Sequence, residues 1–306
     1  LLIILKCIEE EPMRFLVARD GQTTALYVVD GHRAFRLTGQ AGFVGTDLSA
    51  AIAADPARLR EAVDVAMATE SEALSALTPA LPFAHFGKIL CLGLNYVDHV
   101  KEGGYEIPTY PALFIRMPHS MIAAGEPMVK PDCSDRLDYE VELMVVIGRG
   151  GKHIADADAL DHVFGYTVFN DGSVRDYQRK THQWTPGKNF DATGAIGPVV
   201  VTADALPAGA DGLKIQSRLN GAVMQDATTS DMMWPVAKTI ATVSEFTTLE
   251  PGDLIAMGTP PGVGHARRPP VFMFPGDVVE VEIEGIGTCR SPIVAEQDAA
   301  TGEAAQ

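Results

Sequence analysis

The sequence predicts a β-rich α+β fold: a large domain of many short strands and few helices, preceded by a smaller N-terminal α+β domain. Two observations carry this. From Lys88 onward the chain passes through strand-length apolar runs, "KILCLGLNY", "VELMVVIG", "FGYTVFND", "GPVVVT", "LKIQSRLNG", "DLIAMGT" and "DVVEVEIEGIG", cut by Gly and Pro turns and lacking regular strand–helix alternation. In that region only "WPVAKTIATVSEF" (234–246) has convincing helical spacing.

The elements follow in order. Residues 1–12, "LLIILKCIEEEP", have no initiator Met and an apolar run too short for a signal-peptide core; Met13 reads as the natural start, so 1–12 are expected to be a non-native or disordered extension. Residues 13–40 alternate in β-like runs (RFLVAR, ALYVV, AFRLT) separated by the turn pairs Asp20-Gly21 and Asp30-Gly31. "DPARLREAVDVAMATESEALSAL" (55–77) has helical spacing, with Asp55 as N-cap and Pro56 at the first helical position. Together 13–80 form the small domain, "TPALPF" (78–83) a linker, and 86–295 the large domain. Asn220-Gly221 is a hairpin turn joining 213–219 to 222–225. The small, polar end, 296–306, reads as a flexible tail.

Composition narrows the function. The chain has 306 residues, 24 Lys and Arg against 40 Asp and Glu, and a net charge of −16, which argues against nucleic-acid and anionic-membrane partners because both reward basic patches. No stretch approaches transmembrane length. Cys7, Cys91, Cys133 and Cys289 lie far apart without a CxxC pair, which reads as reduced thiols in a cytoplasmic protein.

Residues 138–142 read "DYEVE". Alternation places Asp138, Glu140 and Glu142 on one face of a strand, where three like charges repel unless the face is wet or meets a cation. Carboxylates at i and i+2 can reach one hard cation. Asp171, where "GYTVFND" ends, is placed either as a third ligand or as a turn cap. Arg175 and Gln178 follow at helical spacing, and Lys188 sits in the Gly-flanked "WTPGKNFD", where an exposed surface Lys is the default. In "GLNYVDHVKEGG", His99 and Glu102 lie at i and i+3, close enough for a general-base dyad or merely a His beside a solvated Glu. "MGTPPGVG" (257–264) offers backbone N–H groups and the Thr259 hydroxyl for a carboxylate, or forms a plain turn.

These motifs appear in one order: "GLNYVDHVKE", "LDYEVELMVVIG", "GYTVFNDGSVRDYQ", "GKNFDATGAIGP", "NGAVMQDATTSDMMW", "GTPPGVG" and "PGDVVEVEIEGIG". Together, over roughly residues 86–295, they resemble the fumarylacetoacetate hydrolase family, in its branch similar to acylpyruvate hydrolases and 2-oxo-hept-3-ene-1,7-dioate isomerases. The resemblance implies a mixed β-roll or β-sandwich, a homodimer, and a small-molecule 2-oxo or 2,4-dioxo acid substrate. By the same resemblance Glu140, Glu142 and Asp171 match the family's ligands of a divalent metal, Mg²⁺ or Mn²⁺ and sometimes Ca²⁺. His99 and Glu102 match a water-activating dyad on a lid that orders with ligand, near 98–108. Lys188 matches the cation near the substrate oxo group, Gln178 a hydrogen-bonding partner, Arg175 a neighbouring positive group, and Thr259 the grip on the substrate carboxylate. One departure is Asn189-Phe190-Asp191-Ala192-Thr193, where the family often has Ser-Phe-Asp-Thr. The implied reaction is metal-dependent hydrolysis of a C–C bond in an acylpyruvate or fumarylpyruvate, yielding a 2-oxo acid and a carboxylic acid. Decarboxylation, hydration or isomerisation of oxaloacetate-like or 2-oxo-hept-3-ene-1,7-dioate-type acids is the alternative at the same site.

Overall fold

The computed structural model describes residues 12–104 and 106–301. The expected extension at 1–12 therefore lies outside the described residues except for Pro12. The frame is a large sheet, twelve-stranded among the described residues. Its main path runs Glu72–Ala73, Arg33–Arg36, Thr23–Asp30, Arg14–Asp20, Val199–Thr202, Val163–Asp171, Val141–Ile147, Leu254–Ala256, Ile89–Gly93 and Ala112–Ile115. The first strand pairs antiparallel with Val199–Thr202, Phe15 opposite Val200, so the segment 13–80 adds its strands directly to the sheet that carries the rest of the chain. A second sheet orders Ala222–Thr228, Lys214–Leu219, Val278–Ile283, Gly287–Ala295 and Met128–Lys130.

The strand Val141–Ile147 is buried on both faces, which explains its unbroken apolar run. Val141, Leu143, Val145 and Ile147 pack toward the second sheet with Ile215, Val281 and Ile293. Met144 and Val146 pack on the other side with Phe15, Phe169, Cys91 and the helix residues Leu59, Ala62 and Val63. Period-two alternation places Glu142 on this second face.

Local signals account for most boundaries. Asp55 caps the helix Pro56–Met67, its carboxylate accepting from Ala57 N and Arg58 N at 3.1 and 3.2 Å. That helix stops ten residues before the end of the periodic stretch, where Thr69 returns its hydroxyl to Ala66 O; a short strand and a 3₁₀ turn at Leu74–Ala76 replace the rest. Asn220 and Gly221 take φ of 51° and 80° and close the expected hairpin. The tail also departs from expectation: Glu296–Thr301 is helical, with Glu296 accepting from Asp132 N at 2.8 Å, while 302–306 lie outside the described residues. Cys91, Cys133 and Cys289 are free thiols. Among the described residues no helix is long and apolar enough to cross a membrane.

"DYEVE" is not one strand. Leu137–Asp138 pairs with Ser173–Val174 in its own ladder, and Tyr139 and Glu140 lie between it and Val141–Ile147. The break turns Asp138 away from its expected neighbours Glu140 and Glu142, whose carboxylates meet Asp171.

Candidate active site

Antiparallel pairing builds the site. Val141 lies opposite Asn170 and Glu142 opposite Phe169. Asn170 accepts from Glu140 N at 3.0 Å, and Asp171 N donates to Glu140 O at 2.9 Å, fixing the backbone where both strands end. As a result Glu140, Glu142 and Asp171, all buried, present ligand atoms within 4.8 Å of one another.

Three buried cations surround this triad. Lys188 reaches Glu140 Oε2 at 2.7 Å and Asp171 Oδ2 at 2.6 Å. It is 2% exposed, so the surface reading suggested by its loop does not hold. Gly187 makes this possible: a Cβ there would collide with Gln178, so only glycine lets the Lys188 turn pack on the Arg175–Gln178 helix. Arg175 binds Glu140 Oε1 through Nη1 at 2.6 Å and Asp138 Oδ2 through Nε at 2.7 Å; Gln178 Oε1 accepts from Nη1 at 3.0 Å. Arg116, which sequence reasoning missed, ion-pairs with Asp171 and also donates to Gly172 O and Thr193 Oγ1. The only hint was an Arg ending the apolar strand "ALFI".

Burial and charge set the protonation pattern. Burial disfavours the charge of Glu140, but Lys188, Arg175 and His99 outweigh it and hold the carboxyl well below its ordinary range. Burial likewise opposes the Lys188 ammonium, and Asp171 and Glu140 more than restore it. Glu142 goes the other way: burial, then Asp171 and Glu140, push it well above the usual carboxylate range. Glu142 Oε2 accepts a hydrogen bond from Gly258 N at 2.9 Å.

The donor set fits a divalent metal. Three buried carboxylates are hard oxygen ligands, and the charge that forces Glu142 toward its proton is the charge a cation offsets. Four buried side-chain polar atoms lack a hydrogen-bond partner among the described residues, and three belong to this region: Tyr96 Oη, His99 Nδ1 and Arg175 Nη2. Such atoms are costly unless a ligand satisfies them.

His99 and Glu102 lie on the short helix Val97–Glu102, which follows the buried Asn95. Asn95 ties this corner to the 257–264 loop, donating to Trp234 O at 3.1 Å and Met257 O at 2.7 Å. His99 Nδ1 stands 3.5 Å from Glu102 Oε2, an ion-pair distance longer than a formed hydrogen bond. Gly262 N donates to both Glu102 oxygens at 3.1 Å. Residues 98–102 of the expected lid thus lie in the helix Val97–Glu102 and His99 is buried, while Tyr105 lies outside the described residues.

Thr259 does not present a free hydroxyl. It donates to Val141 O at 2.9 Å and accepts from Gln225 Nε2 at 2.7 Å, so its single proton is spent within the protein rather than on a substrate carboxylate. Gln225, unremarked in the sequence, also accepts from Val141 N at 3.1 Å and joins this loop to the second sheet.

A family model described as the fumarylacetoacetate (FAA) hydrolase C-terminal domain matches residues 88–294. The chain belongs to the fumarylacetoacetate hydrolase family. Among curated relatives, "Oxaloacetate tautomerase fahd2, mitochondrial" of Xenopus laevis is 40% identical over 262 residues, covering 81% of this chain and 82% of that protein. "Oxaloacetate tautomerase FAHD2A, mitochondrial" of Homo sapiens is 42% identical over 242 residues, 76% of this chain and 77% of that protein. Among solved structures, the fumarylacetoacetate hydrolase of psychrophilic Exiguobacterium antarcticum superposes with TM-score 0.81 at 32% identity, covering 93% of this chain and 100% of that one. The 2-hydroxyhepta-2,4-diene-1,7-dioate isomerase of Mycobacterium marinum gives 0.72 at 30% identity, covering 93% and 99%. The expected family and fold hold, and the chain is an enzyme of this family.

Proposed function

We propose that this enzyme interconverts the keto and enol forms of a short 2-oxo acid of the oxaloacetate type. The triad of Glu140, Glu142 and Asp171 would hold Mg²⁺ or Mn²⁺, with Ca²⁺ a third option. The observation that carries this reading is the buried His99, backed by Glu102 at 3.5 Å and close enough to Glu140 to help hold its carboxyl below the usual range. The oxaloacetate tautomerase names of the relatives support it and weigh against hydrolysis as the main reading.

Tautomerisation needs a proton moved between C3 and the 2-oxo oxygen, with the charge of the intervening enolate stabilised. A divalent metal held by Glu140, Glu142 and Asp171 would supply Lewis-acid stabilisation of the oxo oxygen. His99 would be the proton carrier: with Nδ1–H turned to Glu102, Nε2 keeps a lone pair for the C3 proton. Glu102, held by Gly262 N–H, then stabilises the protonated ring. Lys188 would bring a fixed positive charge to the oxo side, and Arg175 with Gln178 would contact the substrate carboxylate through the unpartnered Nη2. The free thiols suit a reducing compartment, whether cytoplasm or an organelle such as the one the relatives' names state.

Hydrolysis of a 2,4-dioxo acid is the second reading, favoured by the same His99–Glu102 pair, which can take a proton from water instead. The test is a product-resolved assay with Mn²⁺ and with EDTA. Metal-dependent loss of enol absorbance and deuterium exchange at C3 of oxaloacetate, without cleavage, support tautomerisation. Release of pyruvate plus a free acid from acylpyruvates, with no C3 exchange of oxaloacetate, transfers the assignment to hydrolysis, and CO₂ release transfers it to decarboxylation. Sedimentation in the same buffers tests the expected homodimer.

A further inference from the structure

Asp138 differs in kind from its neighbours Glu140 and Glu142. It is fully buried, and its carboxylate accepts from Arg175 Nε at 2.7 Å, Gly264 N at 2.8 Å and His265 N at 3.0 Å, with His265 Nδ1 at 3.3 Å. None of these partners is a triad carboxylate. We infer that Asp138 is a positioning residue that joins the two halves of the site, setting Arg175 against Glu140 and setting the 262–265 loop against Glu102.

The first arm follows from the planarity of guanidinium. With Nε fixed on Asp138, both Nη atoms are fixed too: Nη1 lands on Glu140 Oε1, and Nη2 is left buried and unpartnered. Asp138 also shares the charge of Arg175, so that Glu140 is not fully neutralised and remains a good oxygen donor. The second arm runs through the loop. Gly264 N binds Asp138 while Gly262 N, two residues earlier, binds both oxygens of Glu102. A Cβ on Gly264 would come within 2.6 Å of Asp138 Oδ1, so the close approach requires glycine. Where Asp138 holds the loop, the loop holds Glu102, and Glu102 faces His99.

The activity part of the test rests on the tautomerase reading; the metal-binding part does not. In Asp138→Asn the unshared charge of Arg175 falls on Glu140. Mn²⁺ is expected to bind about tenfold more weakly by calorimetry, and kcat for ketonisation to fall about 10–100-fold, the range typical of partners behind a metal ligand. Arg175→Lys, whose ammonium is no fork, is expected to do the same. For Mn²⁺ affinity the double variant is expected to be no worse than the worse single variant, because toward the triad Asp138 acts through Arg175, whereas its effect on kcat also runs through the loop. If Asp138→Asn does not fold, Asp138→Glu keeps the charge but displaces it; kcat is then expected to fall about tenfold with Mn²⁺ affinity retained. Wild-type Mn²⁺ affinity and kcat in the folded fraction of Asp138→Asn, or strictly additive losses of Mn²⁺ affinity with Arg175→Lys, overturn the inference. A merely structural Asp138 lowers the melting temperature and leaves both constants unchanged. If the wild type turns over no oxaloacetate, the tautomerase reading fails by itself, and the Mn²⁺ titrations still decide the role of Asp138.

Discussion

Replacing Lys188 with Met is expected to destabilise the metal-free protein and to make its stability depend on a divalent cation. The Lys188 ammonium bridges Glu140 at 2.7 Å and Asp171 at 2.6 Å in a site where Lys188 is 2% exposed. Met keeps the stem that lies by Phe114, whose ring centroid is 5.0 Å from Nζ, so the change is mainly one of charge. Breaking a buried pair from one side costs about 3–5 kcal/mol; Arg175 and Arg116 still meet Glu140 and Asp171, but three buried carboxylates are then left with two cations. At roughly 2 °C per kcal/mol for a chain this long, the melting temperature in EDTA is expected to drop by about 6–10 °C. A cation at 100 times its dissociation constant stabilises a folded protein by about 2.7 kcal/mol. In the variant that gain is expected to be larger than in the wild type, since Glu140 and Asp171 no longer share Lys188. Thermal melts of both proteins in EDTA and across a Mn²⁺ series measure this directly. Activity is not expected to return with stability: kcat stays about 10²–10³-fold down, the usual cost of one preorganised donor. A variant as stable as the wild type in EDTA, or one that Mn²⁺ stabilises no further than the wild type, would refute the reasoning.

The other perturbations reach different parts of the site. Glu142 is raised in the folded state, so in metal-free protein the native form holds its proton longer than the unfolded chain does. Stability is therefore expected to fall as pH rises from about 4.3, the ordinary Glu value, toward neutrality, by at most about 1.4 kcal/mol per pH unit. Urea melts in EDTA from pH 5 to 7 check this against Glu142→Gln, which is expected to lack that slope. Glu102→Gln keeps an acceptor for Gly262 N but removes the charge behind His99; kcat is expected to fall about 10²–10⁴-fold with Mn²⁺ affinity unchanged, read by steady-state kinetics beside calorimetry. In Gly93→Ala the new methyl overlaps the Trp184 ring, which packs edge-on to Phe114 with centroids 5.7 Å apart. The expected loss is about 1–3 kcal/mol in urea, accompanied by a shift in Trp fluorescence.

What was legible in the sequence is what depends on near neighbours. The run "VELMVVIG" announced a strand because both its faces are buried, and Asp55-Pro56 and Asn220-Gly221 announced their cap and turn because those signals act over two or three residues. Strand parity put Glu140 beside Glu142 but put Asp138 with them and left Asp171 open between third ligand and turn cap, so it was the family resemblance, and not the local pattern, that singled out the triad. Its surroundings were not. Whether Lys188 is exposed depends on carboxylates 17 and 48 positions away, and Arg116 meets Asp171 across 55 residues. The break at Tyr139-Glu140 leaves the alternation of "DYEVE" intact, so nothing local separates Asp138 from the triad. The pairing of Arg14–Asp20 with Val199–Thr202 joins residues nearly two hundred apart, and no pattern within either strand encodes its partner.

The charge balance around the triad explains why one site can be read for more than one reaction. Glu140, Glu142 and Asp171 are met by Arg116, Arg175 and Lys188, yet the cations are unevenly shared: Asp171 and Glu140 take all three, and Glu142 is left with a backbone N–H. A divalent ion held by Glu140, Glu142 and Asp171 would leave the site with an excess of positive charge beside Lys188, which would favour an enolate oxygen whatever bond its formation accompanies. The choice between tautomerisation and cleavage then falls to the group that receives or delivers the proton. His99 is buried and Gly262 holds Glu102 in place behind it; under the proposed reading His99 would carry a proton taken from C3, whereas cleavage would also require a water admitted between His99 and the acyl carbonyl. A substitution that opens space beside His99 while leaving the triad intact is therefore expected, on the proposed tautomerase reading, to raise any hydrolysis of a 2,4-dioxo acid relative to C3 exchange, read by product-resolved assay.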